Sequence, residues 1–134
     1  EDSCVDLLIH RIIKKSYINF EFNAAGVCYA AHHQSPSEST LLTAEEFASI
    51  ERWATHLGEQ GLEQTGHYSW ELTAALPWTT MGYPEGTLPE KLWANLYKCG
   101  DKTAHPHFLS WAPIEEEKPA FHRPQFFGEL ILLP

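Results

Sequence analysis

The chain is predicted to be all-β, a two-layer β-sandwich with one short helix. Three observations predict it. Six or seven short segments alternate apolar and polar residues, Gly- and Pro-rich turns separate them, and one stretch alone has helical spacing. There is no βαβ alternation, internal repeat, low-complexity tract or linker, so the 134 residues read as one domain.

The elements follow in order. Val5, Leu7 and Ile9 alternate with Asp6, Leu8 and His10, a period-2 strand. Arg11 to Ser16 is a basic connector. Ile18, Phe20 and Phe22 then alternate with Tyr17, Asn19, Glu21 and Asn23, which makes one greasy face and one polar face. Gly26 permits a bend, and Val27 to Ala31 continues as a strand. Gln34 to Thr40, with Pro36, reads as a loop. Thr43 and Glu46 form a capping box, with Leu42 and Phe47 as its hydrophobic staple. Phe47, Ile50, Ala54 and Leu57 follow at helical spacing, and Gly58 and Gly61 end the predicted helix. Trp70 to Leu76 alternates again until Pro77. Gly82 to Pro89 is turn-rich. Leu92 to Lys98 sets Trp93, Asn95 and Tyr97 against Leu92, Ala94 and Leu96. Gly100-Asp101 is a turn, Phe108 to Trp111 a short strand, Glu115 to Lys118 a charged loop, and Gly128 to Leu133 the last strand.

Composition narrows the partners. The formal net charge is −9, with only 9 Lys and Arg residues, and these are scattered. Phosphate backbones need clustered cations, so neither nucleic acid nor an anionic membrane surface is expected. No apolar run approaches the roughly 20 residues of a membrane helix. The three cysteines, Cys4, Cys28 and Cys99, cannot all pair internally and match no zinc spacing. They are expected as buried free thiols, with one disulfide plus one free thiol as the alternative. The chain opens at Glu1-Asp2-Ser3 without Met, directly before a strand, which reads as a mature, trimmed or truncated start.

Reaction chemistry has weak support. His105, His107 and His122, or the pair His32-His33, could serve a metal, but no His-x-x-x-His or Cys-x-x-Cys spacing is present. Asp6, Glu21, Glu71 and Asp101 lie in or beside strands, and no glycosidase-like pair stands out. Ser110 lacks a nucleophile elbow, and Cys99 with His105 or His107 is a pair that any such composition offers. Aromatics are more informative: five Trp, five Tyr and seven Phe. Rings give the flat C–H faces of sugars apolar area, while amides and carboxylates bond their hydroxyls. Tyr17, Asn19 and Glu21 on one strand and Asn95 and Tyr97 on another supply both kinds of group.

A resemblance sharpens this reading. Ser110-Trp111-Ala112-Pro113, then Phe121 to Gly128, Leu130 and Leu132, resemble the C-terminus of the family 9 carbohydrate-binding modules. Asp2 to Asp6 and Asn19 to Asn23 are similar to its middle strands, and Asn95 to Asp101 to a late strand of family-9-like proteins. The resemblance implies a jelly-roll-like sandwich that clamps sugar ends between two rings. Its C-terminal clamp ring matches Phe121, a sugar-contacting strand amide falls at Tyr97, and a basic contact falls at Glu21. These are departures: Phe stacks but donates no N–H, and Glu inverts the charge facing the ligand. Asn19, Trp111 and Arg123 complete the expected contacts, Arg123 serving either the ligand or its own loop. The family's first strands and other clamp ring precede the segment matched here, so the sandwich is expected to be incomplete at its N-terminal side or completed by another segment or subunit.

The implied function is non-catalytic binding of an oligosaccharide or polysaccharide by an accessory module outside the cytoplasm: secreted, periplasmic or at the cell surface. No cofactor is assigned. Related modules carry structural calcium, and Asp2, Asp6 and Asp101 are acidic, but they form no EF-type loop. Two rivals stand beside it: a glycoside hydrolase or metal-dependent hydrolase, and a structural or interaction sandwich whose aromatics are all buried. Related sandwiches also bind haem, but no axial pair is assignable here.

Overall fold

A computed structural model describes residues 3–11, 16–59, 69–100 and 103–133. Among the described residues the chain is mostly β, with antiparallel sheets and one short α-helix. Its strands are β1 (Cys4–His10), β2 (Tyr17–Asn23), β3 (Cys28–Ser35), β4 (Glu38–Leu41), β5 (Glu51–Ala54), β6 (Leu72–Ala75), β7 (Lys91–Cys99), β8 (Phe108–Ser110) and β9 (Gly128–Ile131), with α1 (Ala44–Ala48) between β4 and β5. Seven strands form one sheet in the order β4-β3-β2-β1-β7-β8, with β9 also paired to β7; β5 and β6 form a separate two-stranded sheet.

Strand alternation sorts the large sheet into two faces. Ile9, Ile18, Phe20, Phe22, Ala30, Leu92 and Ala94 point to one side, where Leu42, Ile50 and Met81 close the main core and β6 packs through Leu72 and Ala74. Phe20 and Ile18 are fully buried. The other face carries Leu8, Tyr17 and Tyr97, covered by Phe127, Ile114 and Phe121 from the C-terminal segment. The parities expected for the three long strands are therefore the observed ones. Apolar burial on both sides, rather than one, makes these strands the centre of the molecule.

Two local expectations are corrected. Gln34 to Thr40 is a hairpin, not a loop: Ser35 pairs with Glu38, and β4 runs back along β3. All four β4 residues are exposed, so no amphipathic pattern marks this edge strand. The predicted helix stops after one turn. Its capping box is present, with Glu46 N–H donating to Thr43 Oγ1 at 3.1 Å and Thr43 N–H donating to Glu46 Oε1 at 3.0 Å. Beyond Ser49 the chain becomes β5, because pairing with β6 satisfies the backbone of Glu51 to Ala54. Buried Ile50 and Ala54 fit either structure by spacing, and tertiary pairing decides between them. Gly61 lies outside the described residues. Thr43→Ala is expected to lower stability by about 1 kcal/mol, read as an earlier urea midpoint at unchanged slope.

Candidate functional site

The register of the sheet builds the site. Glu21 faces Asp6 across β2 and β1, and Asp6 faces Tyr97 across β1 and β7. Tyr29 lies opposite Glu21 and Ser110 opposite Tyr97, so Tyr29, Glu21, Asp6, Tyr97 and Ser110 form one row on one face. The adjacent row carries Cys4 opposite Cys99, and Phe108 opposite Cys99. The row on the other side carries Ala31, Asn19, Leu8 and Asn95.

The C-terminal segment crosses this face. Phe121 stacks on Tyr97 with ring centroids 4.4 Å apart at 27°, and Phe108 meets Phe121 edge-on at 6.1 Å. Tyr97 is buried beneath Phe121, while Phe108 and Tyr29 are exposed at the two flanks. Rings and carboxylates thus converge at one end of the face. The rest is sealed. Tyr17 O–H donates to His122 Nδ1 at 2.8 Å, stacks on His33 with centroids 4.8 Å apart, and meets Phe127 edge-on.

Burial sets the electrostatics. The Asp6 carboxyl is pushed up to about 7 by burial and by the Glu21 charge beside it. Burial also raises the Tyr97 and Cys4 groups, and for Cys4 the Asp6 and Glu21 charges add to the effect. Burial pushes the Tyr17 hydroxyl up to about 12 and lowers His33 and His122 below the ordinary histidine value.

The six residues expected at the site have different surroundings. Phe121 and Tyr97 come together, and Glu21 lies in the row of Tyr97 but two strands away, beyond Asp6. Tyr97 is the support under Phe121 rather than an open ring. Asn19 shares the face but is sealed, its side-chain amide meeting His33 Nε2 at 3.0 Å. Trp111 leaves this face: its backbone N–H donates to Leu96 O at 2.8 Å, and its ring lies so close over Gly128 that an added Cβ there would be 2.9 Å from it. It lines a largely apolar 850 Å³ groove on the opposite side, with Val5, Leu7, Leu72 and Leu96. Arg123 braces its loop, donating to Glu116 Oε1 at 3.1 Å and to His122 O at 3.0 Å.

The histidine trio that a metal-dependent hydrolase would use does not assemble. His122 is held by Tyr17, and His107 donates to His105 O at 2.9 Å while its Nε2 lies 2.9 Å from Lys98 Nζ. Among the described residues, the one metal-suited group is Cys4, Asp6 and Glu21. It does not fit calcium, which takes six to eight oxygens, because one donor is sulfur. Asp2 and Asp101 lie outside the described residues. None of the three cysteines is in a disulfide, with Cys4 buried and the other two half-buried. Sequence reasoning missed Tyr29 and Phe108. Both follow from register: Tyr29 shares its row with Glu21, and Phe108 the row beside it.

A sheet face with stacked rings beside carboxylates offers apolar ring area and hydrogen-bond acceptors together. The family model described as carbohydrate-binding family 9 matches residues 1–132, and the chain belongs to that family. It is also similar to a solved crystal structure from Bacteroides uniformis, described as that of a candidate carbohydrate-binding protein, with 37% identity and a TM-score of 0.90. The match covers 98% of this chain and 61% of that one. A search of curated proteins gave no match.

Proposed function

We propose that the chain is a non-catalytic carbohydrate-binding module that holds an oligosaccharide or polysaccharide against Phe121, with Glu21 accepting hydrogen bonds from sugar hydroxyls. The described sheet is then the larger layer of a jelly-roll-like sandwich. The observation that carries the reading is the Tyr97–Phe121 stack at the end of the row that holds Asp6 and Glu21. Tyr97 fixes the angle of the Phe121 ring, so the ring is ordered before a ligand arrives. Phe108 and Tyr29 flank the acids. Tyr29 and Tyr97 are three strands apart, roughly 14 Å at ordinary strand spacing, a span that favours several sugar units over one. In the cell, such a module works as an accessory to polysaccharide use outside the cytoplasm.

Titration with a broad panel of oligosaccharides and soluble polysaccharides tests this. The wild-type chain is expected to bind at least one, and Phe121→Ala to weaken that binding about tenfold, the equivalent of roughly 1.4 kcal/mol. A folded wild type that binds nothing in the panel, or a Phe121→Ala variant of unchanged affinity, overturns the reading.

A further inference from the structure

The same face holds a second kind of chemistry. Cys4 Sγ and one carboxylate oxygen each of Asp6 and Glu21 all lie within 4.8 Å of one another. The spacing follows from the sheet. Cys4 and Asp6 are two apart on β1 and so share a face, and Glu21 is the direct cross-strand neighbour of Asp6 on β2. The strands are central, and each is paired on both sides, so the three donors stand on a rigid base.

Two acids directly opposite each other on a sheet repel, and here one of them is buried: Asp6 is 9% exposed. Its Oδ1 has no hydrogen-bond partner among the described residues. Nor does a lysine or arginine among them form a salt bridge with either acid. The nearby Lys98 ammonium is engaged elsewhere, with Ser3 Oγ, Cys99 O and His107 Nε2. Asp6 thus has a buried oxygen with a free lone pair, on a carboxylate set with two other donors. A cation placed between the three would satisfy Oδ1 and relieve the repulsion at once.

We propose that Cys4, Asp6 and Glu21 bind a borderline-soft divalent cation of the Zn²⁺ type. One sulfur with two carboxylate oxygens is a donor set that Zn²⁺ accepts and that hard Ca²⁺ and Mg²⁺ do not. Tetrahedral Zn²⁺ holds such donors roughly 3.5 Å apart, so rotation of the side chains closes the present spacing. On binding, the Cys4 thiol releases its proton to solvent and the thiolate coordinates, so affinity rises with pH. Cys99, opposite Cys4 in the register, is the nearest further sulfur, and the remaining position is left to water or a ligand atom. This inference shares Glu21 with the proposed sugar contact, but it does not depend on it, because metal binding is measured without sugar.

Co²⁺ is the probe, added to the EDTA-stripped, reduced chain. The expected result is one equivalent bound, with a thiolate-to-cobalt charge-transfer band that Zn²⁺ abolishes and excess Ca²⁺ does not. Cys4→Ser is expected to lose the band, Asp6→Asn and Glu21→Gln to weaken binding at least about tenfold, and Cys28→Ser, on the other face, to keep it. Circular dichroism of each variant checks folding, and Glu21→Gln, at a half-buried position, serves if Cys4→Ser does not fold. Absence of a charge-transfer band in the wild type, a band that survives in Cys4→Ser, or full affinity in Glu21→Gln each overturns the proposal.

Discussion

Asn95→Ala is expected to destabilise the fold by about 3 kcal/mol. The residue is fully buried, and its side chain replaces backbone in the sheet. β8 and β9 both pair with β7, at residues 97–99 and 91–94 respectively, which leaves a gap on that edge. Asn95 fills it: its Nδ2 donates to Ala112 O at 3.1 Å, and its Oδ1 accepts from Ala112 N–H at 2.8 Å and Leu96 N–H at 2.9 Å. Alanine removes the partner of all three backbone groups at a part-buried place, and each such loss costs about 1 kcal/mol. The second consequence is local. Ala112 begins the segment that brings Ile114, Phe121 and Phe127 onto the polar face. Hydrogen exchange is therefore expected to speed up in residues 112–127 before it does in β2. Equal loss of protection in both would show that the gap-filling role is wrong. Asp would keep the acceptor but not the donor, so Asn95→Asp is expected to fall between the two.

Tyr17→Ala is expected to cost about 4 kcal/mol, the largest effect of any substitution on this face. Its fully buried ring stacks on His33, abuts Phe127 and donates to His122. Tyr17→Phe keeps the packing and loses the hydroxyl alone, so about 1 kcal/mol is expected, since His122 Nδ1 is then left without its donor. The same cluster makes stability depend on pH. His33 and His122, with ring centroids 4.8 Å apart, are both held below the ordinary histidine value, His33 chiefly by burial and His122 by burial and then by the neighbouring His33 and Arg123. A histidine lowered in the fold binds fewer protons there than in the unfolded chain. The stability it leaves intact is complete above the unfolded value of about 6.5 and is lost as pH falls below it. Urea midpoints measured from pH 8 down to pH 5 are thus expected to fall, and His122→Gln to flatten the fall. A midpoint that rises over that interval, or an unchanged slope in His122→Gln, would count against this cluster as the source. Because the cluster anchors the segment that carries Phe121, sugar affinity is expected to weaken over the same pH interval.

Much of the molecule was legible in the residue pattern. Alternation in β1, β2 and β7 placed Phe20 and Phe22 in the core and put Tyr17, Asn19, Glu21, Asn95 and Tyr97 on one side. That works because side chains on a strand have a period of two, whatever lies above them. The capping box at Thr43 was readable for the same reason: it involves four neighbouring residues and nothing else. The motifs spread along the chain were sufficient for the family. What lay above each face was not readable. The polar parity of β2 and β7 offered rings and polar groups to a ligand, and the C-terminal segment, through Ile114, Phe121 and Phe127, covers Leu8, Tyr17 and Tyr97 on that face. β4 has no apolar pattern to betray it, and β5 exists because β6 is beside it.

Sequence alone determined which residues share a side of each strand, since pleating is a property of the local backbone. Tertiary structure alone decided which neighbours those residues meet. It put Phe121 on Tyr97, and Cys4 with Asp6 beside Glu21, because register and the path of the C-terminal segment are settled by burial and hydrogen bonding between distant parts of the chain.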